Sequence, residues 1–539
     1  MIIPTKRENV FLLQNISNLH NLKSKMKLMI LAALALLSPA LGYRILAIFP
    51  VPSKSHHHLG QGVVGALLKA GHEVTWATPY PKKEAQKGLT FIDVSETTGI
   101  IAQIDPLKVS HMSIGTLMEF GRNISIAAAT NKGVQQALMD KYDAVVTEVF
   151  FSDLQAGFAA ILQVPWIVLS GTVIHTGVES MMADIGSAAL VPTMMSDFPI
   201  PMNLWQRMGN TAMIAMMTAG RLWDISVSEK YYHEIFEPLA KKKGIVLPPY
   251  STAIYNISIL LSNSHPSLAP AVSLPPNVVD IAGYHIADHH TPLPKDLQDL
   301  MDSSKNGVVY FSMGSVIKAS AIPEQTRKDL IKILGALPYT VLWKFEEPLQ
   351  GLPKNVHIRP WMPQPSILAH PNIKLFITHG GLLSTLEAIQ AGVPLLAVPV
   401  FGDQPGNAVR AQRAGYALAV PFAPDMGDRL KVALDKMLSD NSYYNKAKEL
   451  SRLFNNRPVP PAKLIAHYVE LAIQTKGALH LRSPTYHYAW YERYMLDQLA
   501  VVLIALYVAV KLVKCVLKMA LNSILGKPAK KEGKKVKKN

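Results

Sequence analysis

The sequence predicts an α/β protein: two doubly wound domains in tandem, followed by one membrane-spanning helix. Three observations carry this. A strand–helix–strand rhythm opens at Tyr43 and restarts near Gly307. A polar, proline-containing stretch, ADHHTPLPKDLQD, separates the two runs. An apolar run from Leu499 leads into a lysine-rich tail. The predicted organisation is a signal peptide over 1–42, a first α/β domain over 43–290 and a linker over 291–302. A second α/β domain over 303–470 follows, then a helical segment over 471–498 packing back toward the first domain. A transmembrane helix over 499–521 and a cytoplasmic tail over 522–539 complete the chain.

Each element has its own justification. KSKMKLMILAALALLSPALGYR has a basic flank, an apolar core from Leu28 to Leu37 and small residues at Ala40 and Gly42. This pattern reads as a secretory signal cleaved after Gly42, with Met1 or Met26 as the start. YRILAIFP and EVTWATP read as strands flanking a helical GQGVVGALLKAGH, the opening unit of a doubly wound sheet. In the second half GVVYFSMGS, YTVLWKF, LFITHGG and VPLLAVPV read as strands, with helices over about 323–337 and in GLLSTLEAIQAG.

Charge placement excludes a nucleic-acid-binding role. Ten Lys and one Glu lie from Lys511 onward, and five basic residues and one acid lie in 1–42, leaving only +3 of the net +16 between. The basicity thus flanks the predicted signal and span. It places the tail in the cytoplasm and the body in the lumen, a single-pass type I arrangement. Lys535 and Lys537 stand five and three places from the end, the spacing of an endoplasmic-reticulum retrieval signal. Asn123 and Asn256 each begin N-I-S, acceptable glycosylation sequons in a lumenal body. Cys515 is the sole cysteine, so no intrachain disulfide forms.

KSHHHLGQG is the first candidate site. The triplet His56–His57–His58 is expected in the loop after the first strand, where such sheets bind ligands. Adjacent histidines cannot all converge on one ion, and no nearby Cys or carboxylate completes a metal set. One catalytic histidine or a solvated cluster remain as readings. A catalytic histidine needs an orienting acid. YDAVVTEVFFSD offers Glu148 at a strand end and Asp153 in the following loop. Nine of the 22 methionines lie between Met181 and Met217, either in a helical core or membrane-facing patch or in a plastic apolar pocket.

THGGLLSTLE runs a strand into a glycine turn and a helix start, where free N–H groups favour an anion such as pyrophosphate. It lies between RPWMPQPSILAH and VFGDQPGNA. The ordered set W-x-P-Q, H-G-G-x-x-S-x-x-E and G-D-Q resembles the UDP-glycosyltransferase family. HLRSPTYHYAWYERYMLD before the span is similar to its animal, membrane-bound branch, and H-G-G-L-L-S-T to insect members.

The resemblance implies two Rossmann-like domains of GT-B type, the first binding the acceptor and the second a UDP-sugar. It implies Trp361 stacked on uracil, with Gln364 and Glu387 on the ribose hydroxyls. It implies His379, Gly380 and Gly381 at the phosphates, with hydroxyl contacts from Ser315 and Ser384. It puts Asp403 and Gln404 on the sugar. No metal and no other cofactor is implied, because protein donors stabilise departing UDP. Lys344 falls where related chains often have Arg. Ser55–His56 matches the family's catalytic position, so His56 is expected to take the proton of an acceptor hydroxyl in an inverting transfer. His57 and His58 are expected as bystanders. Of the two acids Asp153 is favoured as partner, because a loop adapts more readily than a strand. The expected activity is conjugation of small lipophilic molecules, as in detoxification, with UDP-glucose as donor. The alternatives are a catalytically silent hydrophobic-ligand-binding protein and a dedicated lipid or sterol glycosyltransferase. A homo-oligomer is compatible with the sequence.

Overall fold

A computed structural model describes residues 42–82, 84–101, 113–182, 188–193, 196, 198–269, 272–286, 291–315 and 322–526. The expected signal peptide, but for Gly42, and the dilysine tail lie outside the described residues. Up to Arg482 these residues form one compact unit holding both sheets, and those from Ser483 form a second.

The first sheet is parallel and has seven strands. In spatial order they are β3 (Leu89–Asp93), β2 (Glu73–Thr78), β1 (Arg44–Ile48), β4 (Ala144–Val149), β5 (Trp166–Ser170), β6 (Ile257–Ser262) and β7 (Val278–Asp280). The second, also parallel, runs β10 (Val356–Arg359), β9 (Thr340–Lys344), β8 (Val308–Ser312), β11 (Ile373–Thr378), β12 (Leu395–Ala397) and β13 (Ala417–Ala419). Alternation within each strand builds a core on both faces. Ile45 and Ala47 pack into one cluster and Leu46 and Ile48 into the opposite one. Val308 and Tyr310 likewise face away from Val309 and Phe311.

The strand order reverses between β1 and β4 in one sheet and between β8 and β11 in the other. Parallel sheets place ligands outside the strand ends at such switch points. In register, Ile48 faces Thr147, and Ser312 faces Thr378. The segments leaving these four strands therefore carry the candidate site.

Three boundaries differ from the sequence expectation. The histidine triplet lies inside a helix, Lys54–Lys69, rather than in a loop. The Ser53 side chain accepts the His56 N–H at 3.3 Å, which starts the helix before the triplet. The expected linker holds a helix, Lys295–Ser303, whose Leu297 and Met301 are buried in the second domain's core. The helix Pro461–Gln474, assigned to the second domain as far as residue 470, packs on the first sheet through Ile465, Val469 and Ala472.

In the second unit, the helix Leu496–Leu525 has 30 residues and a mean hydropathy of 2.4 over its most apolar stretch. At 1.5 Å per residue it is about 45 Å long, enough to cross a ~30 Å hydrocarbon layer. It is a candidate membrane span.

Candidate active site

His56 sits in the first turn of Lys54–Lys69, just beyond β1. Its Nδ1 lies 2.6 Å from Oε1 of Glu148, at the end of β4. The Glu148 side chain is fully buried. Burial disfavours the imidazolium, but the Glu148 charge and hydrogen bond, and then Asp403, outweigh it and hold His56 above the usual histidine range. With Nδ1 committed to the carboxylate, Nε2 is the ring atom left to exchange a proton.

Asp153, favoured from sequence as the partner, does not pair with His56. It accepts a hydrogen bond from Nε of Arg221 at 3.0 Å, in a mostly buried ion pair. Arg221 also donates to the Tyr255 hydroxyl. A loop acid was the more adaptable candidate, but Arg221 holds it elsewhere, while the extra methylene of Glu148 spans the gap from the strand end.

The other two histidines engage different partners. His57 Nδ1 lies 2.9 Å from the Thr78 hydroxyl, and its ring stacks on Trp76 at 4.8 Å. Burial pushes it down to about 4, with His58 and Lys82 adding to the shift, so it is neutral at physiological pH. His58 Nδ1 lies 3.2 Å from Gln61 Oε1.

An aromatic group borders His56. Phe150 meets the imidazole edge-on at 4.8 Å and contacts both Phe120 and Phe151. Phe151 has φ of 49°, an uncommon conformation for a residue with a Cβ. Gly121 permits this turn to approach its helix: a Cβ there would lie 2.3 Å from the Phe150 carbonyl oxygen. No motif singled these rings out. Only the FF pair after Glu148 hinted at them. Of the methionine-rich segment, Met181, Met182 and Met202 are buried and Met208 and Met216 exposed. Met194 and Met195 lie outside the described residues.

The second domain brings its predicted residues into two groups. Gln364 Nε2 donates to Glu387 Oε2 at 2.7 Å and to Ser384 Oγ at 3.0 Å. Burial raises Glu387 to about 7, with the Gln364 hydrogen bond opposing. Trp361 is exposed, its ring 5.9 Å from Lys54 Nζ. His379 lies half-buried between two glycine turns. A Cβ on Gly314 or Gly381 would come within 2.7 or 2.5 Å of its ring. Burial pushes His379 down to about 4, with Asp403 opposing and Lys344 adding to the shift. It is therefore a neutral N–H donor rather than a charge. The helix Leu382–Ala391 starts from Gly381 with no side-chain cap, leaving its first N–H groups open.

Asp403 Oδ2 accepts from Asn407 Nδ2 at 2.6 Å, and Asn407 also donates to the Gly380 carbonyl. Gln404 Oε1 accepts from the Val400 and Phe401 N–H groups, which aims its amide nitrogen away from the loop. Ser315 is exposed just beyond β8. Lys344 donates to the Gly314 carbonyl at 2.8 Å and pairs with Glu346, so it fastens the turn before Ser315. Asn407 was not foreseen, although its spacing of four from Asp403 on a helix would have found it.

Residues 64–531 match the family described as UDP-glucoronosyl and UDP-glucosyl transferase. The chain belongs to that family. The UDP-glycosyltransferase is 31% identical over 491 residues to UDP-glucosyltransferase 2 of Dactylopius coccus, covering 89% of this chain and 93% of the relative. It is 28% identical over 448 residues to UDP-glucuronosyltransferase 1-2 of Mus musculus, covering 81% of each. Among solved structures, the calicheamicin glycosyltransferase CalG4 aligns with a TM-score of 0.53 at 17% identity, covering 80% of this chain and 99% of that one. Glycosyltransferase VinC, solved with dTDP, aligns with a TM-score of 0.52 at 16% identity, covering 79% and 100%. These neighbours fix the fold as GT-B. The enzyme transfers sugar from a UDP-sugar donor to an acceptor.

Proposed function

We propose that this enzyme is an inverting glucosyltransferase acting on hydroxyl groups of small lipophilic acceptors, with His56 as general base. The observation that carries the reading is the His56–Glu148 pair at the β1/β4 switch point, within the electrostatic reach of Asp403. His56 Nε2 takes the acceptor proton as its oxygen attacks the anomeric carbon. Glu148 fixes the tautomer and stabilises the imidazolium that forms. UDP leaves from the opposite side, so an α-linked donor yields a β-glycoside. Asp403 and Gln404 hold the sugar hydroxyls. Trp361, Gln364 and Glu387 hold the nucleoside. His379, Gly380, Gly381, Ser315, Ser384 and the open helix start receive the phosphates. This residue set stabilises departing UDP without a metal.

The Phe120–Phe150–Phe151 group beside His56 supports a lipophilic acceptor. The similarity to UDP-glucosyltransferase 2 supports glucose as the sugar. The candidate span, the predicted signal and the lysine tail support a type I endoplasmic-reticulum membrane protein with a lumenal body.

Acceptor-dependent release of UDP from UDP-glucose, with UDP-glucuronate in parallel, tests the reading on phenols and lipophilic alcohols. Release with UDP-glucose and a β-anomeric product is expected. Release from neither donor would favour a silent binding protein. Transfer confined to a sterol or membrane lipid would favour a dedicated lipid glycosyltransferase.

A further inference from the structure

We propose that His285 is a donor-specificity residue: together with Glu387 it contacts a ribose hydroxyl of the bound UDP-sugar. This rests on the donor-site assignment above and adds a group from the first domain, outside the W-x-P-Q, H-G-G and G-D-Q segments.

The segment after β7 is firmly held. Arg457 Nη1 donates to the Ala282 carbonyl at 2.6 Å, and the Ile286 N–H donates to the Gly283 carbonyl at 3.0 Å. Gly283, at φ of 87°, lies so close to Phe454 that a Cβ would come within 3.0 Å of its ring. These contacts leave the backbone at His285 little freedom.

The His285 side chain is only 4% exposed. Neither ring nitrogen completes a hydrogen bond of ordinary geometry among the described residues. The Leu383 backbone offsets part of the desolvation without a hydrogen bond of ordinary geometry, so the buried imidazole keeps an unmet cost that a polar ligand would relieve. Its Nε2 lies 3.8 Å from Glu387 Oε1. That gap is too long for a direct hydrogen bond, yet a hydroxyl placed to one side of the line joining the two atoms lies within hydrogen-bond reach of both. The other Glu387 oxygen already accepts from Gln364, so Oε1 is the one that remains for a ligand.

The chemistry fits a hydroxyl rather than an anion. Burial pushes His285 down to about 3, with the Leu383 backbone opposing and His58 adding to the shift, so the ring is neutral. A neutral imidazole offers one donor and one acceptor and carries no charge for phosphate. Of the UDP groups, uracil goes to Trp361 and the phosphates to the His379 turn. The ribose diol at Glu387 is the partner of matching chemistry.

Competition by UDP, 2′-deoxy-UDP and 3′-deoxy-UDP against the UDP-sugar, on the full-length membrane enzyme, tests this. Wild type should bind UDP more tightly than at least one deoxy analogue. His285→Phe should cut that preference about fivefold, the value of one hydrogen bond of ~1 kcal/mol. His285→Leu gives the same readout should Phe impair folding, and His285→Gln should retain most of the preference. A merely structural histidine would weaken UDP and its deoxy analogues equally. That result, or an unchanged preference in His285→Phe and His285→Leu, would overturn the proposal alone. Failure of wild type to bind UDP would overturn the donor-site assignment as well.

Discussion

Replacing Glu148 by Gln keeps shape and removes the charge beside His56. The 2.6 Å contact joins the imidazole to a fully buried carboxylate. A hydrogen bond to a charged group is worth about 1.5–3 kcal/mol. At ~1.4 kcal/mol per decade this alone costs about 10- to 100-fold in rate. The amide has a further effect, because its NH2 can donate to Nδ1 and force the ring proton onto Nε2, where the base must act. The same swap in a Ser-His-Asp triad costs about 10⁴. Glu148→Gln should therefore lower kcat about 10²- to 10⁴-fold with little change in fold. The pH profile gives a second readout. Only neutral His56 accepts a proton, so activity falls as pH drops through its raised pKa. Losing Glu148 lowers that pKa and moves the acid limb of residual activity to lower pH. Asp153→Asn should act differently: it breaks the ion pair with Arg221, costing about 3 kcal/mol of stability, while the folded fraction stays active. Steady-state kinetics beside thermal melts separate the two. Severe loss of kcat in well-folded Asp153→Asn, with Glu148→Gln nearly unaffected, would refute the pairing.

Three further outcomes are expected. Asp403→Ala should lower transfer by about 10- to 100-fold, the loss of a charged hydrogen bond, while UDP still competes for the site; near-normal turnover would remove Asp403 from the sugar. Glu387 stands near pH 7 because burial raises it, and its carboxylate is the form that accepts a ribose hydroxyl at Oε1 while Oε2 holds Gln364. UDP affinity should thus fall as pH drops through about 7 and level off above, and Glu387→Gln should flatten that dependence in a binding titration. Gly121→Ala places a Cβ against the Phe150 carbonyl oxygen; overpacking of this kind costs about 1–3 kcal/mol, and acceptor KM should rise as the phenylalanine turn shifts.

Much of this site was legible because its residues sit at fixed offsets from strand ends. His56 follows β1, His379 follows β11, and a parallel sheet with short connections leaves few other places for them. The W-x-P-Q, H-G-G and G-D-Q motifs are likewise local, so Gln364, Ser384 and Glu387 could be grouped before their hydrogen bonds were seen. The acid partner was not legible. Whether Asp153 is available depends on Arg221, which lies 68 residues away on the helix Leu204–Lys243. The start of the first helix turned on one capping hydroxyl, Ser53. The helix Lys295–Ser303 was hidden by polar composition, although Leu297 and Met301 stand four apart on one face. His285 lies outside the motifs read from the sequence, and only the folded chain brings it beside Glu387.

Transfer of radiolabelled glucose from UDP-glucose to a panel of lipophilic acceptors, by microsomes carrying the wild-type chain or His56→Ala, tests the central claim most directly. The wild type should form labelled β-glucoside with at least one acceptor, and His56→Ala should form none above background while still binding UDP. Undiminished transfer by His56→Ala, or an α-linked product, would contradict the assignment of His56 as the base.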